Sequence, residues 1–303
     1  MNVFAPASDA ARAIADISWV LVVGAFLILS GVMALLAYSL RDGGKVRTRL
    51  WLLGGGVIFP VVVLAALYAW QLGHGPQWKP VPPPGALVVH VTGHMWWWEV
   101  RYRDPATGAD VIAANELRVP VGKPVYVALE SRDVIHSFWV PELAGKMDMV
   151  PGRLQHLLFT ARRAGAYRGQ CAEFCGEQHA RMAMHVVALD PASFDAWLSA
   201  QAKPASAPGA PMLARGRDAF LQQRCDACHA VRGQTAESRF GPDLTHVGSR
   251  SHIAAGTLPN TPEARRRWIA HVQQVKPGAR MPSYDRLDDA TLEAIAAWLG
   301  SLQ

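Results

Sequence analysis

The sequence predicts a multidomain membrane protein: a two-helix transmembrane hairpin, then a β-sandwich, then a small all-α domain. Three observations carry this reading. Ile17–Leu40 and Leu50–Gly73 are each 24 residues without a charged side chain, where a bilayer-spanning helix needs about 20. Short stretches of apolar/polar alternation, broken by Gly, Pro and Asp turns, fill residues 86–200 and suit a sandwich or barrel. From residue 213 apolar side chains recur every three or four positions, as in helices. Composition agrees: the 303 residues are 50% apolar and 18% charged, too apolar for intrinsic disorder. Four cysteines in so long a chain exclude a disulfide-stapled scaffold.

Residues 1–85 make the first region: an N-terminal tail, helices over about 17–40 and 50–72, and a Pro-rich stalk. At ~1.5 Å per residue each apolar run reaches about 36 Å, enough to cross a hydrocarbon core with some tilt. Gly54-Gly55-Gly56 and Pro60 in the second run are acceptable in a membrane helix. Arg41, Lys45, Arg47 and Arg49 cluster between the runs, which puts this loop in the cytoplasm by the positive-inside rule. Both termini then face outward, and everything after Trp70 is expected on the periplasmic side of a bacterial inner membrane. Met1-Asn2-Val3-Phe4 lacks a basic n-region, so a leader that delivered the N-terminus outward would already be gone. Gly75–Gly85, with five prolines, reads as a stiff extended stalk.

Residues 86–200 form the second domain. Strands are expected at Leu87–Val91, Trp98–Tyr102, Glu116–Val119, Pro124–Leu129, His156–Phe159 and Met184–Leu189, with a short helix over Pro191–Ala200. Residues 201–212, rich in Pro, Ala and Gly, look like a flexible linker. Arg215–Gln223, Pro262–Val275 and Asp289–Leu302 are the helices expected in the third domain, residues 213–303.

The two cysteine pairs carry different chemistry. Cys225-Asp226-Ala227-Cys228-His229 is the CxxCH spacing that attaches c-type haem through two thioethers, with the adjacent imidazole presented to the iron. A periplasmic disulfide or a thioredoxin-like pair are the bland alternatives, and the latter wants an α/β context absent here. Met281 is the one methionine after the motif and the candidate second axial ligand, with His246, His252 and His271 as rivals. The second pair lies in Cys171-Ala172-Glu173-Phe174-Cys175-Gly176-Glu177-Gln178-His179-Ala180-Arg181-Met182. Two thiolates, an imidazole and a thioether within twelve residues are a soft donor set that favours copper over hard cations. His136 offers another imidazole. A Cys171–Cys175 disulfide or a Cys2His2 zinc site remains open, though zinc seldom uses the thioether of Met182.

With these motifs quoted, the chain resembles subunit II of haem–copper cytochrome c oxidases, in the caa3-type form fused to a class I cytochrome c. The pattern CxExCGxxHxxM is complete from Cys171 to Met182; His136 is followed by Pro151-Gly152-Arg153; and Gly93-His94-Met95-Trp96-Trp97-Trp98-Glu99 is similar to the family's aromatic stretch, with Met95 in place of a usual Gln. Gly241-Pro242-Asp243-Leu244 and the Met281-Pro282 loop extend the likeness to the cytochrome. The resemblance implies a cupredoxin-like sandwich holding a binuclear copper centre, CuA. Cys171 and Cys175 would bridge the coppers, His136 and His179 would each ligate one, and Met182 and the Glu173 carbonyl would complete the set. The Glu173 side chain would reach a Mg²⁺ or Mn²⁺ shared with subunit I. The Pro242 carbonyl would accept a hydrogen bond from the proximal His229, and Trp96 would be the electron-entry residue. Electrons from an external cytochrome c or bc1-type donor would pass through haem c and CuA to a separate subunit I, which reduces oxygen with proton translocation. No nucleic-acid partner is expected.

One departure concerns protons. Many relatives carry a Glu near the cytoplasmic start of the second helix, but Leu50–Gly56 contains no carboxylate. Rival readings are a CuA-containing nitric-oxide reductase subunit, a membrane-anchored copper carrier and a lone electron shuttle. A carrier expects a thioredoxin-like fold without a cytochrome, and a lone shuttle needs only one anchor helix.

Overall fold

The computed structural model describes residues 2–41, 47–74, 81–236, 238 and 240–303. Lys45 of the basic loop and Pro76 and Pro80 of the stalk lie outside the described residues. Helix α1 (Asp9–Arg41) and a second helix over residues 50–73 are long and apolar enough to cross a membrane, and their apolar stretches are uncovered by the rest of the chain. Apolar surface left uncovered over such lengths suits membrane anchoring.

Both helices differ from the expected outline. Helix α1 starts at Asp9, eight residues before the apolar run, because Ser8 caps it: its hydroxyl accepts from the Ala11 N–H at 3.0 Å and donates to the Leu143 carbonyl. The tail therefore does not hang free. Ala7 N–H bonds to the Glu142 carbonyl at 2.7 Å, Arg162 N–H to the Ala7 carbonyl at 2.8 Å, and Asp9 pairs with Arg162. The second helix opens as a π-helix, Leu50–Ile58, and becomes α2 only at Phe59–His74. Pro60 supplies the reason. It lacks an N–H and its ring would crowd the carbonyl four residues earlier. The wider turn relieves that, with Phe59 N–H bonding back to the Gly54 carbonyl.

The second domain is a sandwich of two five-stranded sheets. The strands are β1 (Leu87–His94), β2 (Trp97–Arg103), β3 (Asp110–Ala114), β4 (Glu116–Pro120), β5 (Val125–Ser131), β6 (His136–Trp139), β7 (Met147–Met149), β8 (Gln155–Phe159), β9 (Gly165–Cys171) and β10 (Ala183–Leu189). Sheet order is β3-β2-β1-β5-β8 in one layer and β4-β10-β9-β6-β7 in the other. The inward residues of each strand, among them Val89, Val91, Leu117, Val127 and Phe138, fill the space between layers. Strands β3, β6, β7 and β9 were not foreseen. They are short or rich in glycine and polar residues, so their alternation is too brief to read. Helix α3 (Pro191–Gln201) closes the domain, capped by Asp190, whose carboxylate accepts from the Ser193 N–H at 2.9 Å.

The segment after α3 is strapped down rather than free. Arg232 donates to the carbonyls of Gln201 and Ala202, Ala205 N–H bonds to the Arg232 carbonyl, and Ala205 joins the core of the last domain. That domain packs α4 (Pro211–Gln222), α5 (Pro262–Ala270), α6 (Val272–Val275) and α7 (Asp289–Ser301) around Phe220, Trp298 and Ile295. The single helix expected over 262–275 is two, broken at His271 (φ −130°).

Candidate metal centres

Strand pairing assembles the copper-type cluster. Strands β6 and β9 run antiparallel with Phe138 opposite Cys171, which brings His136 beside that cysteine. From Cys171 the chain leaves the sheet through Cys175 to a 3₁₀ turn at His179–Arg181, then re-enters as β10 just after Met182. His136 Nδ1 lies 3.9 Å from Cys171 Sγ, and the two sulfurs are 3.7 Å apart. Cys175 Sγ is 3.7 Å from His179 Nδ1 and 3.8 Å from Met182 Sδ, while the Glu173 carbonyl lies 3.2 Å from Cys171 Sγ. Both cysteines are free thiols, and His136, Cys171 and Cys175 are all buried. All six candidate ligands thus meet at one end of the sandwich. The Glu173 side chain instead points to the surface beside Lys146, at 3.6 Å.

The surroundings fix the donors. Asp133 holds His136 Nε2 at 2.8 Å and also accepts from the Met95 N–H at 2.8 Å, leaving Nδ1 for the cluster. Burial opposes charge on both groups, but their partners together outweigh it: bonds from His136, Met95 and Val134 lower Asp133 to about 2, and Asp133 and Cys171 raise His136. Gly93 of β1 lies under the same imidazole, where an added Cβ would come within 2.8 Å of Cδ2. A hydrogen bond from Cys175 lowers the Cys171 thiol, and the same contact raises Cys175. The pair so favours one thiolate even before metal binds. Buried, soft and held by the sheet, this set fits copper; both thiols being free, the disulfide reading finds no support.

The haem-type residues line a different space. A cavity of about 390 Å³ is walled by Cys225, Cys228, His229, Met281 and Tyr284 on the helical side, and by His94–Trp97 and Asn115 of the sandwich on the other. His229 Nδ1 sits 2.8 Å from the Pro242 carbonyl, and burial lowers its pKa, keeping the imidazole neutral as a ligand must be. A Cβ on Gly241 would meet His229 Cε1 at 2.7 Å, so glycine lets the ring turn into the cavity. Of the rivals to Met281, His246 and His271 do not line the cavity, and both ring nitrogens of His246 face carbonyls, of Gln303 and Lys203. His252 does line it, but stacks on His185 with centroids 4.1 Å apart. Two thiols, one neutral imidazole and one thioether around one apolar space fit a covalently attached haem.

Trp96 stands between the two sites. Its indole N–H donates to the Cys175 carbonyl at 2.8 Å, and the ring lines the haem cavity. Trp98 is fully buried in the sandwich, and Trp97 stacks on His94 at 4.3 Å. Several residues here escaped sequence reasoning: Asp133, Gly93 and Lys276. Only Asp133 left a signal, a carboxylate three residues before His136.

Comparison with known proteins points the same way. The family described as "Cytochrome C oxidase subunit II, periplasmic domain" matches residues 106–189, and "Cytochrome c" matches residues 213–303. Cytochrome c oxidase subunit 2 of Alkalihalophilus pseudofirmus is 36% identical over 217 residues, covering 72% of this chain and 61% of that one. The Bacillus subtilis protein of the same name is 32% identical over 228 residues, covering 72% and 63%. The match therefore spans about three fifths of the length of these relatives. The crystal structure of the periplasmic domain of subunit II of cytochrome oxidase (CoxB) of Bradyrhizobium japonicum is 30% identical, covering 40% of this chain and 96% of that chain with a TM-score of 0.37. The first domain type implies CuA and the second implies haem c. With both domains in one chain, in this order, and behind two apolar helices, the chain belongs to the cytochrome c oxidase subunit II family, in the form that carries its own cytochrome c domain.

Proposed function

We propose that this chain is the electron-transfer subunit of a terminal haem–copper oxidase, taking electrons from a periplasmic donor through its own haem c to CuA and on to subunit I, where oxygen is reduced. The observation that carries the reading is the position of Trp96, bonded to Cys175 on one side and walling the haem cavity on the other. When bound, the copper pair and the haem each supply one-electron redox chemistry. The chain's residues supply the rest. Cys171, Cys175, His136, His179, Met182 and the Glu173 carbonyl would hold the copper pair. Cys225 and Cys228 would anchor the haem, and His229 and Met281 would supply its iron with donors. The sandwich keeps these donors in place as charge changes, so little reorganisation accompanies each transfer. The Glu173 carboxylate is the candidate for a Mg²⁺ or Mn²⁺ shared with subunit I.

Topology follows from the packing of the tail. Residues 7–9 bond to the sandwich, which supports an N-terminus on the same outer side as the metal sites and two crossings between. The test of the route is Trp96→Phe, read by flash-induced transfer from haem to copper. Transfer should slow markedly while the near-infrared and EPR signals of copper and the visible band of the haem stay unchanged. An unaltered rate would sink the route.

A further inference from the structure

Three consecutive residues of the haem lobe are gripped by the copper-ligand loop and its neighbour. Arg181 Nη1 donates to the Val275 carbonyl at 2.6 Å, Gln178 Nε2 donates to the Pro277 carbonyl at 2.6 Å, and between them Lys276 Nζ donates to the Trp96 carbonyl at 2.8 Å. Gln178 and Arg181 flank His179 and precede Met182, whereas residues 275–277 lead into the loop that carries Met281. The clamp therefore ties a candidate copper-ligand loop to a candidate haem-ligand loop directly. Lys276 is its least expected member. It is 4% exposed and also lines the haem cavity. Burying an ammonium costs far more than burying a neutral donor, and a neutral side chain could satisfy the Trp96 carbonyl as well. Such a buried amine at a functional cleft calls for a functional reason.

We propose that Lys276 is a positioning residue for the haem-to-copper electron step: carried by the haem lobe, it seats on the Trp96 carbonyl and so holds the indole both against Cys175 and against the haem cavity. The inference rests on the function proposed above. The step it serves takes one electron from the reduced haem and delivers one to the oxidised copper pair, with no bond made or broken and no proton moved. The chain of contacts is continuous: Lys276 Nζ to Trp96 carbonyl, then Trp96 indole N–H to the carbonyl of Cys175, a residue that would hold the copper pair. Either protonation state of the amine can donate the first bond.

The experiment uses the full chain, loaded with copper and haem, as wild type, Lys276→Met and Lys276→Arg. Losing this buried hydrogen bond and leaving the Trp96 carbonyl unpaired costs enough to shift the seated population by about tenfold. Lys276→Met should slow flash-induced haem-to-copper transfer by about that factor, with the copper EPR signal and the haem band unchanged, and Lys276→Arg should restore most of the rate. Arg118→Gln is the control for loose docking in general, because Arg118 binds the haem lobe elsewhere, at the Ser249 carbonyl (2.9 Å). It should leave the rate within about twofold of wild type. A second readout needs no activity: in copper-free protein, Lys276→Met should raise hydrogen exchange of residues 93–98 and 275–281, and Lys276→Arg should not. An unchanged rate and unchanged exchange in Lys276→Met overturn the proposal, as does an equal slowing in Arg118→Gln. Absence of haem-to-copper transfer in the wild type would instead overturn the functional reading on which it rests.

Discussion

Cys175 links both halves of the candidate copper cluster, standing within 3.8 Å of Cys171, His179 and Met182. Cys175→Ser should therefore abolish the binuclear EPR signal while the haem band persists; retention of two coppers per chain would sink the assignment. Gly93 gives a subtler test. Its missing side chain makes room for the His136 ring, and an alanine there would bring a carbon within 2.8 Å of Cδ2. Gly93→Ala should cost about 1–3 kcal/mol by overpacking and reduce copper occupancy by displacing the imidazole, as read by thermal unfolding and metal analysis. The ligand types and their spacing within residues 171–182 were legible in the sequence because they are local. Asp133 left only a carboxylate three residues before His136, and Gly93 left nothing, since its meaning depends on β1 lying against that ring.

At the scale of elements, the seam between β10 and the haem lobe depends on two imidazoles. His185 stacks on His252, and its pKa is lowered to about 4, first by burial, then by His252, with Arg168 adding and Glu116 opposing. Glu116 also accepts from the Ser251 N–H and hydroxyl, next to His252. A lowered histidine stays neutral in the packed state, while a separated or unfolded state takes up the proton near pH 6.5. Packing is thus strongest above about 6.5 and weakens as pH falls toward about 4. Corrected for the intrinsic slowing of exchange with acidity, the opening of residues 183–189 and 252–256 read by hydrogen exchange should rise as pH falls from about 7.5 to 5, and His185→Gln should flatten that dependence. Elements with a clear period were readable: β1, β2, β4, β5, β8 and β10 lie where alternation puts them, and α3, α4 and α7 where apolar spacing puts them. The π-helical start of the second span was not, because it answers to one proline and one carbonyl rather than to a pattern.

Over the whole molecule, the sandwich and the haem lobe meet through donors from side chains to backbone carbonyls, Arg118 to Ser249, Arg181 to Val275, Gln178 to Pro277, Lys276 to Trp96 and Arg232 to Gln201, and through the Glu116 carboxylate accepting from Ser251. Among the described residues no ion pair joins them. Bonds of this kind are short-ranged and partly buried, so mobile ions screen them little. The intramolecular haem-to-copper rate should accordingly change by less than about twofold between low salt and about 0.5 M, where the Debye length falls to a few ångströms. A steep fall with salt would mean that the domains find each other by charge attraction instead.

The sequence by itself determined the class of each part: two apolar spans, alternating strands, a helical lobe, and two cysteine motifs with different metal chemistry. These are properties of composition, period and local spacing, and they survive without knowledge of what lies opposite. Tertiary structure decided everything that depends on an opposing surface. It docked residues 2–15 on the sandwich, strapped the expected linker to the haem lobe through Arg232 and Ala205, and set Lys276 on Trp96 across 180 residues of chain. Such contacts join side chains far apart in sequence through single hydrogen bonds and close approaches, which leave no periodic trace along the chain.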